Sequence, residues 1–443
     1  MGKKFKISAN EAVDKKSAES INPRQSAIQT TGYKNTKLGR IPVEWEVMKL
    51  GDIVVESRLG GNYENSESHT GIPVIKMGNV GRGLFNIDKV QCLPETELHN
   101  NQDILKQNDL LFNTRNTLDL VGKVAIWRNE LPLAVYNSNL MRIKFYSKFI
   151  HSNSFMNYVF NSNYGLNQLR SFATGTTSVA AIYGRDLWNF RVILPLLPEQ
   201  QKIARILSTW DKAIEKTEQL IAQKQQLKKG LMQQLLTGKV RFKEFVKSKK
   251  MKKTKLGLIS EAWEVKKIGS AVEIFVGRDL MESHFSIVEN NTFKYPVYSN
   301  TVENHGLYGY YDCEEYNGES MTIVGRGAGL GTAFTRTGIY GAIGRLLVLF
   351  PKKGLSAHFL TEYVNSRVNI FQESSGIPQL TGEQVAKYEI VVPSLPEQRK
   401  VAQALLICDS EIKVLSKRLN KFKSQKKGLM QKLLTGQVRV SEL

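Results

Sequence analysis

An α+β fold, made of two similar strand-rich domains and two long helices that pack on each other, follows from three features of the sequence. The first is an internal repeat. Leu197-Pro198-Glu199-Gln200 opens a segment running through Lys228-Lys229-Gly230-Leu231-Met232 to Leu236-Thr237-Gly238-Lys239-Val240-Arg241. Leu395-Pro396-Glu397-Gln398 opens it again, through Lys426-Lys427-Gly428-Leu429-Met430 to Leu434-Thr435-Gly436-Gln437-Val438-Arg439. The second is a shorter repeat ahead of each domain: Thr36-Lys37-Leu38-Gly39 with Trp45-Glu46-Val47, then Thr254-Lys255-Leu256-Gly257 with Trp263-Glu264-Val265. The third is a pair of apolar seams with alternating spacings of four and three, the a/d pattern of a coiled coil. An internal repeat dictates architecture before any other feature, and the order here is domain, helix, domain, helix.

Residues 1–35 are polar and aperiodic and predict a flexible arm. The first domain, 36–196, carries strand-like runs at Ile72–Met77, Asp109–Phe112, Val121–Trp127 and Leu140–Ile143, a helix over Ser154–Leu169, and a closing strand at Val192–Leu194. A helix over 197–242 follows. Pro at its first turn supplies a suitable φ and lacks only an N–H that would have had no intrahelical partner. Its seam is Ile203, Leu207, Trp210, Ile214, Thr217 and Ile221. Lys228 interrupts the seam beside Gly230, which predicts a bend or break there, and Thr-Gly ends the helix because glycine readily adopts αL. At about 1.5 Å per residue, Pro198 to Leu236 would span roughly 58 Å.

The lysine-rich stretch 243–253 reads as a solvated linker. The second domain, 254–394, repeats the plan with strands at Tyr295–Tyr298, Met321–Val324, Ala333–Phe334, Leu346–Leu349 and Ile390–Val392, and a helix over His358–Ser366. The last helix, 395–443, has the seam Val401, Leu405, Cys408, Ile412, Leu415, Leu419 and Phe422, with Lys426 as the interruption.

Composition narrows the function. The 443 residues suffice for two or three domains with sizeable cores. A mean hydropathy of −0.29 and apolar runs far shorter than the roughly 20 residues of a bilayer-spanning helix exclude a membrane-spanning reading. Met1-Gly2-Lys3-Lys4 has no apolar stretch behind it, so no secretory signal is expected. Cys92, Cys313 and Cys408 stand singly, without a Cys-x-x-Cys or His pairing. No disulfide framework or metal site is read from them, and a cytoplasmic location fits. The net charge of +21 and pI near 9.6 point to a polyanion, since Lys and Arg that neutralise phosphates release condensed counterions.

These paired boundaries, Pro195-Leu196-Leu197-Pro198-Glu199-Gln200 and Pro393-Ser394-Leu395-Pro396-Glu397-Gln398, with the Leu-Leu-Thr-Gly helix ends and the Trp-Glu-Val openings, resemble the specificity subunit of type I restriction-modification systems. The likeness runs from about Thr36 to the end. It implies that the strand-rich units are target recognition domains, each reading one half of a bipartite, asymmetric sequence in double-stranded DNA. It also implies an antiparallel coiled coil holding them apart in a pseudo-two-fold arrangement. No catalytic activity is implied for the chain itself. Its implied partners are two methyltransferase subunits, which methylate adenine with S-adenosylmethionine, and two restriction subunits that translocate and cut DNA with ATP and Mg²⁺. The alternative is a coiled-coil DNA-binding scaffold outside restriction.

Base reading needs Arg, Lys, Asn, Gln, Ser or Thr on exposed loops, because these present the donor and acceptor pairs that base edges require. In the first domain the candidates are Lys76, Asn79 and Arg82; Asn113, Arg115 and Asn116; and the loop with Thr174, Thr176 and Thr177, flanked by Arg170 and Arg185. In the second they are Arg278, Asn300, Arg326 and Arg336, with Ser374, Ser375 and Gln379 in a final loop. The resemblance points hardest at the last loop of each domain. Gly325 to Gly331 resembles a phosphate cradle, but a strand-like segment follows it where such a cradle needs a helix, so a hairpin is predicted. No Walker loop or Asn/Asp-Pro-Pro-Tyr methylase motif occurs, the histidines are isolated, and no stretch remains for a fused enzyme domain.

Overall fold

The computed structural model describes residues 32–63, 70–94, 98–248, 250–370 and 379–440. Of the flexible arm expected over 1–35, residues 1–31 lie outside them, as do Ser374 and Ser375, while Tyr33–Asn35 are not arm but belong to a strand.

The chain forms two compact units. One holds the described residues up to Trp210 and those from Gln425 onward; the other is Asp211–Ser424. Each is built on the same plan. In the first unit a four-stranded antiparallel sheet has the order Val54–Leu59, Leu140–Phe145, Leu110–Asn113, Val124–Ile126. The second unit repeats it with Val272–Val276, Leu347–Pro351, Ser320–Ile323, Ala333–Arg336. Each also has one parallel strand pair in a further sheet, Pro73–Ile75 with Val135–Tyr136 and Tyr295–Tyr298 with Ile339–Ala342. The strand-like runs therefore sit where their apolar patterning put them, and the segment around Gly325–Gly331 is the hairpin connecting Ser320–Ile323 to Ala333–Arg336.

Two local expectations are corrected. The helix expected over Ser154–Leu169 is two helices, Asn153–Asn161 and Asn163–Phe172. Ser162 divides them: its hydroxyl accepts from Gly165 N at 3.1 Å and so caps the second helix. A Cβ on Gly165 would lie 2.2 Å from Val159 O, so the sharp corner requires glycine. The linker read over 243–253 is in part strand, since Met251–Thr254 pairs with Gly257–Ser260 as Tyr33–Thr36 pairs with Gly39–Pro42. The repeated Thr-Lys-Leu-Gly is the turn of these hairpins, closed by Gly39 and Gly257 at φ +105° and +99°.

The long helices run Leu197–Leu235 and Leu395–Leu434. Every predicted seam residue on both is buried or half-buried. Within the second unit the two helices pair antiparallel: Lys224 meets Glu411 at 2.7 Å, Lys228 meets Asp409 at 2.7 Å, and Lys423 meets Glu218 at 2.7 Å. In the first unit Ile203 and Leu207 share a core with Leu433 and Leu434; in the second Leu235 and Leu236 share one with Val401 and Leu405. The break expected beside Lys228 and Lys426 does not occur, and both helices continue through Gly230 and Gly428. Lys228 is held by both Asp409 oxygens and by Glu362 at 3.4 Å, so the polar residue in the seam is paired rather than disruptive.

What closes each unit is a cluster assembled from the repeated motifs. Trp45 Nε1 donates to Glu199 Oε2 at 2.7 Å, and Arg439 donates to both oxygens of that carboxylate at 2.8 and 3.0 Å. In the second unit Trp263 donates to Glu397 at 3.1 Å, and Arg241 donates to both its oxygens at 2.7 and 2.8 Å. The guanidinium lies 5.6 Å from the Trp45 ring centroid in one unit and 5.7 Å from that of Trp263 in the other. Each glutamate begins one long helix while its arginine follows the end of the other, a geometry that only an antiparallel pair allows. Gly238 and Gly436, at φ +69° and +72°, end the helices as predicted.

Candidate nucleic-acid interface

In the first unit the backbone brings two of the predicted clusters onto one small sheet. Arg115–Asn116 pairs with Ala180–Ala181, which pairs with Thr174–Gly175. Leu118 N donates to Thr177 O at 3.1 Å, and Ile182 N to Thr114 O at 3.0 Å, so the polar loops of residues 113–118 and 174–182 lie side by side. Arg115, Thr174, Thr176 and Thr177 are exposed on it, and Asn116 is half-buried.

Cations gather beside this sheet. Arg82 donates to the backbone oxygen of Asp119 at 3.3 Å. Its pKa is lowered by partial loss of water and then by the charge of Arg170, and Lys123 is lowered by partial loss of water and then by Arg82. Three cations are thus close enough to repel one another, an arrangement favoured by a polyanion placed over it. Lys123 was not among the sequence candidates; it lies in a strand-like apolar run, and only the fold places it beside Arg82. Arg185 is exposed at the edge of Asp186, 3.5 Å away, with its guanidinium 5.7 Å from the Tyr183 ring centroid.

The second unit has a matching rung. Leu380 N donates to Gly325 O at 2.8 Å as Ile182 N does to Thr114 O, and Arg326 bridges Gln379 as Arg115 bridges Ala181. Arg115 and Arg326 therefore occupy equivalent exposed positions. Arg326 Nη2 donates to Gln379 Oε1 at 3.3 Å. Asn300 accepts from Gly325 N at 2.7 Å and donates to Gly344 O, while Gly344 N donates to Arg278 O at 2.9 Å. Arg278, Asn300, Arg326 and Gln379 are thereby linked through one strip of backbone. Arg345, which the sequence did not single out, is exposed beside them at φ +65°. An arginine held in that region is a strained position of the kind that clusters at functional sites.

Other candidates turn inward. The Asn79 carboxamide accepts from Lys76 N at 3.0 Å and donates to Asn86 O and Lys89 O at 3.0 and 2.9 Å, while the Lys76 amine reaches Gln91 at 2.6 Å. Asn113 is fully buried and accepts from Arg115 N at 3.2 Å, supporting the exposed arginine from below. Arg336 is buried, donating to Thr322 Oγ1 at 3.0 Å and His305 O at 2.7 Å, with its guanidinium 3.5 Å from the Tyr298 ring centroid; burial pushes its pKa down. Among the described residues, no helix is long and apolar enough to cross a membrane.

Comparison with known proteins agrees with this duplicated plan. Residues 42–225 and 260–424 match the family model described as the type I restriction modification DNA specificity domain. The putative type I restriction enzyme MjaX specificity subunit of Methanocaldococcus jannaschii is 25% identical over 92% of this chain and 97% of its own length. The MjaVIII specificity subunit of the same organism is 32% identical over 49% of this chain and 52% of its own. Among solved structures, the type I restriction-modification S subunit from M. genitalium shares the fold with a TM-score of 0.61, covering 89% of this chain and 96% of that one at 16% identity. With the family model covering most of the sequence, the chain belongs to the specificity subunits of type I restriction-modification systems, non-catalytic chains whose catalytic activities lie in partner subunits.

Proposed function

We propose that residues 36–196 and 254–394 are two target recognition domains, each reading one half of an asymmetric, gapped site in double-stranded DNA. The observation that carries this reading is the equivalent exposed rung in both units, with Arg115 in one and Arg326 in the other. A planar guanidinium on an exposed edge suits bidentate contact with guanine, while the surrounding cations suit phosphates. Around Arg115 stand Thr174, Thr176 and Thr177; around Arg326 stand Asn300, Arg345 and Gln379. Unlike donor and acceptor sets on a shared scaffold favour unlike half-sites.

In this reading the paired helices, of 39 and 40 residues, act as spacer. At about 1.5 Å per residue they exceed one turn of B-DNA, about 34 Å, which leaves several unread base pairs between the half-sites. The same helices dock two methyltransferase subunits, which methylate adenine with S-adenosylmethionine. Two restriction subunits complete the assembly and use ATP and Mg²⁺, in the cytoplasm. Mapping methylated adenines in DNA from the host tests the proposal. A motif of two unlike halves separated by a fixed gap is expected, and a contiguous or palindromic motif would contradict it.

A further inference from the structure

We infer that His284, Asp312 and Cys313, in the second unit, form a binding site for a divalent transition metal of the zinc class. In sequence His284 stands 28 positions before the adjacent pair Asp312-Cys313, a spacing that suggests no ligand set. The sheet register brings them together. Phe285–Ser286 runs antiparallel to Leu307–Tyr311 with Phe285 opposite Tyr311, so one step further out His284 faces Asp312, and Asp312 N donates to His284 O at 3.2 Å. Cys313 is the next residue, and its thiol is free.

One donor atom from each of the three residues lies within 4.8 Å of the other two. The closest approach, His284 Nδ1 to Asp312 Oδ1, is 2.9 Å. Tetrahedral zinc bonds of about 2.0–2.3 Å place ligand atoms roughly 3.3–3.8 Å apart. Side-chain rotation at the exposed His284 and the half-buried Asp312 and Cys313 would bring the donors to that spacing. His284 and Asp312 keep 50% and 27% of their side-chain surface open, which provides the entry path.

The donor types choose the metal. A thiolate and an imidazole favour zinc, cobalt or copper over Mg²⁺ and Ca²⁺, which prefer all-oxygen shells. Three protein ligands leave a fourth position for water, so the ion is exchangeable rather than sealed into the core. The local effect is to tie Phe285–Ser286, a two-residue edge strand, to the neighbouring strand. Cys313 also lines an open cavity of about 600 Å³ together with Arg278 and Glu315.

The test is Co²⁺ titration of the full chain, freed of metal and kept reduced, following thiolate-to-cobalt charge-transfer absorption. A single equivalent should bind with that band, be displaced by Zn²⁺ and be indifferent to Mg²⁺. Cys313→Ser should abolish the band, Cys92→Ala and Cys408→Ala should leave it, and His284→Ala should weaken Co²⁺ binding by about tenfold, ~1.4 kcal/mol. Far-UV circular dichroism checks that each variant is folded. Absence of the band in the folded parent, its survival in Cys313→Ser, or unchanged affinity in His284→Ala would overturn the inference and leave only a hydrogen-bonded His–Asp pair beside a bystander thiol.

Discussion

Glu199 and Glu397 are nearly buried carboxylates, each gripped by an arginine and an indole N–H. Removing one partner of such a pair strands a charge away from water, which costs about 3–5 kcal/mol. Glu397→Ala should lower the urea midpoint accordingly, with Arg241 left without a carboxylate partner beside Trp263, and Glu199→Ala should lower it by less, because Arg439 keeps Glu44 at 3.2 Å. Arg115→Ala and Arg326→Ala should leave the midpoint almost unchanged. Each should weaken specific DNA binding by about 1–3 kcal/mol and relax the sequence preference of one half-site, as measured by binding selections. Lys123→Ala should instead weaken all sequences alike and reduce the slope of log affinity against log salt by about 1. At this scale the sequence is least informative. Asn79, Asn113 and Arg336 have the residue types of base readers yet support loops from inside, because the donors that recognise a base edge also satisfy buried backbone. Glu199 and Arg439 stand 240 residues apart, and no local pattern announces that their motifs are one cluster.

Among the elements, the long helices were the most legible, since a seam of period three and four is a local property and every predicted seam residue is at least half-buried. The expected break failed because the answer to Lys228 lies on other elements, at Asp409 and Glu362. For Lys228, burial opposes the charge, but the hydrogen bond it donates to Asp409 and the charge of Glu362 outweigh it and raise its pKa. Glu362 is also raised, first by burial, with Lys228 acting in the opposite sense. An acid whose folded pKa exceeds its unfolded value contributes stability that is full below the unfolded value, near 4.5, and is lost as pH rises through the folded one. Glu362→Gln should therefore flatten the stability profile upward of pH 4.5, read by chemical denaturation across that range. Gly230 is helical with nothing within 4 Å of where a Cβ would stand. Gly230→Ala should stabilise by about 0.5–1 kcal/mol through lower unfolded-state entropy; an unchanged or lower midpoint would mean that the helix needs its glycine. The corner at Ser162 was not legible, because it depends on Gly165 approaching Val159 O rather than on any helix-breaking residue.

For the whole molecule, duplication and charge were the readable features. The doubled boundary motifs announced two similar units, and both four-stranded sheets follow one strand order. The +21 charge pointed to a polyanion but not to the surface that would meet it; only the fold brings the charges of Arg82, Lys123 and Arg170 close to one another. The central claim is that each unit reads its own half of a gapped site. Replacing residues 43–194 with the equivalent segment of a relative of different specificity, and then mapping the methylated adenines, tests it most directly. The account predicts that one half-site changes while the other half and the gap between them stay as they were. A change in both halves, or in neither, would contradict it.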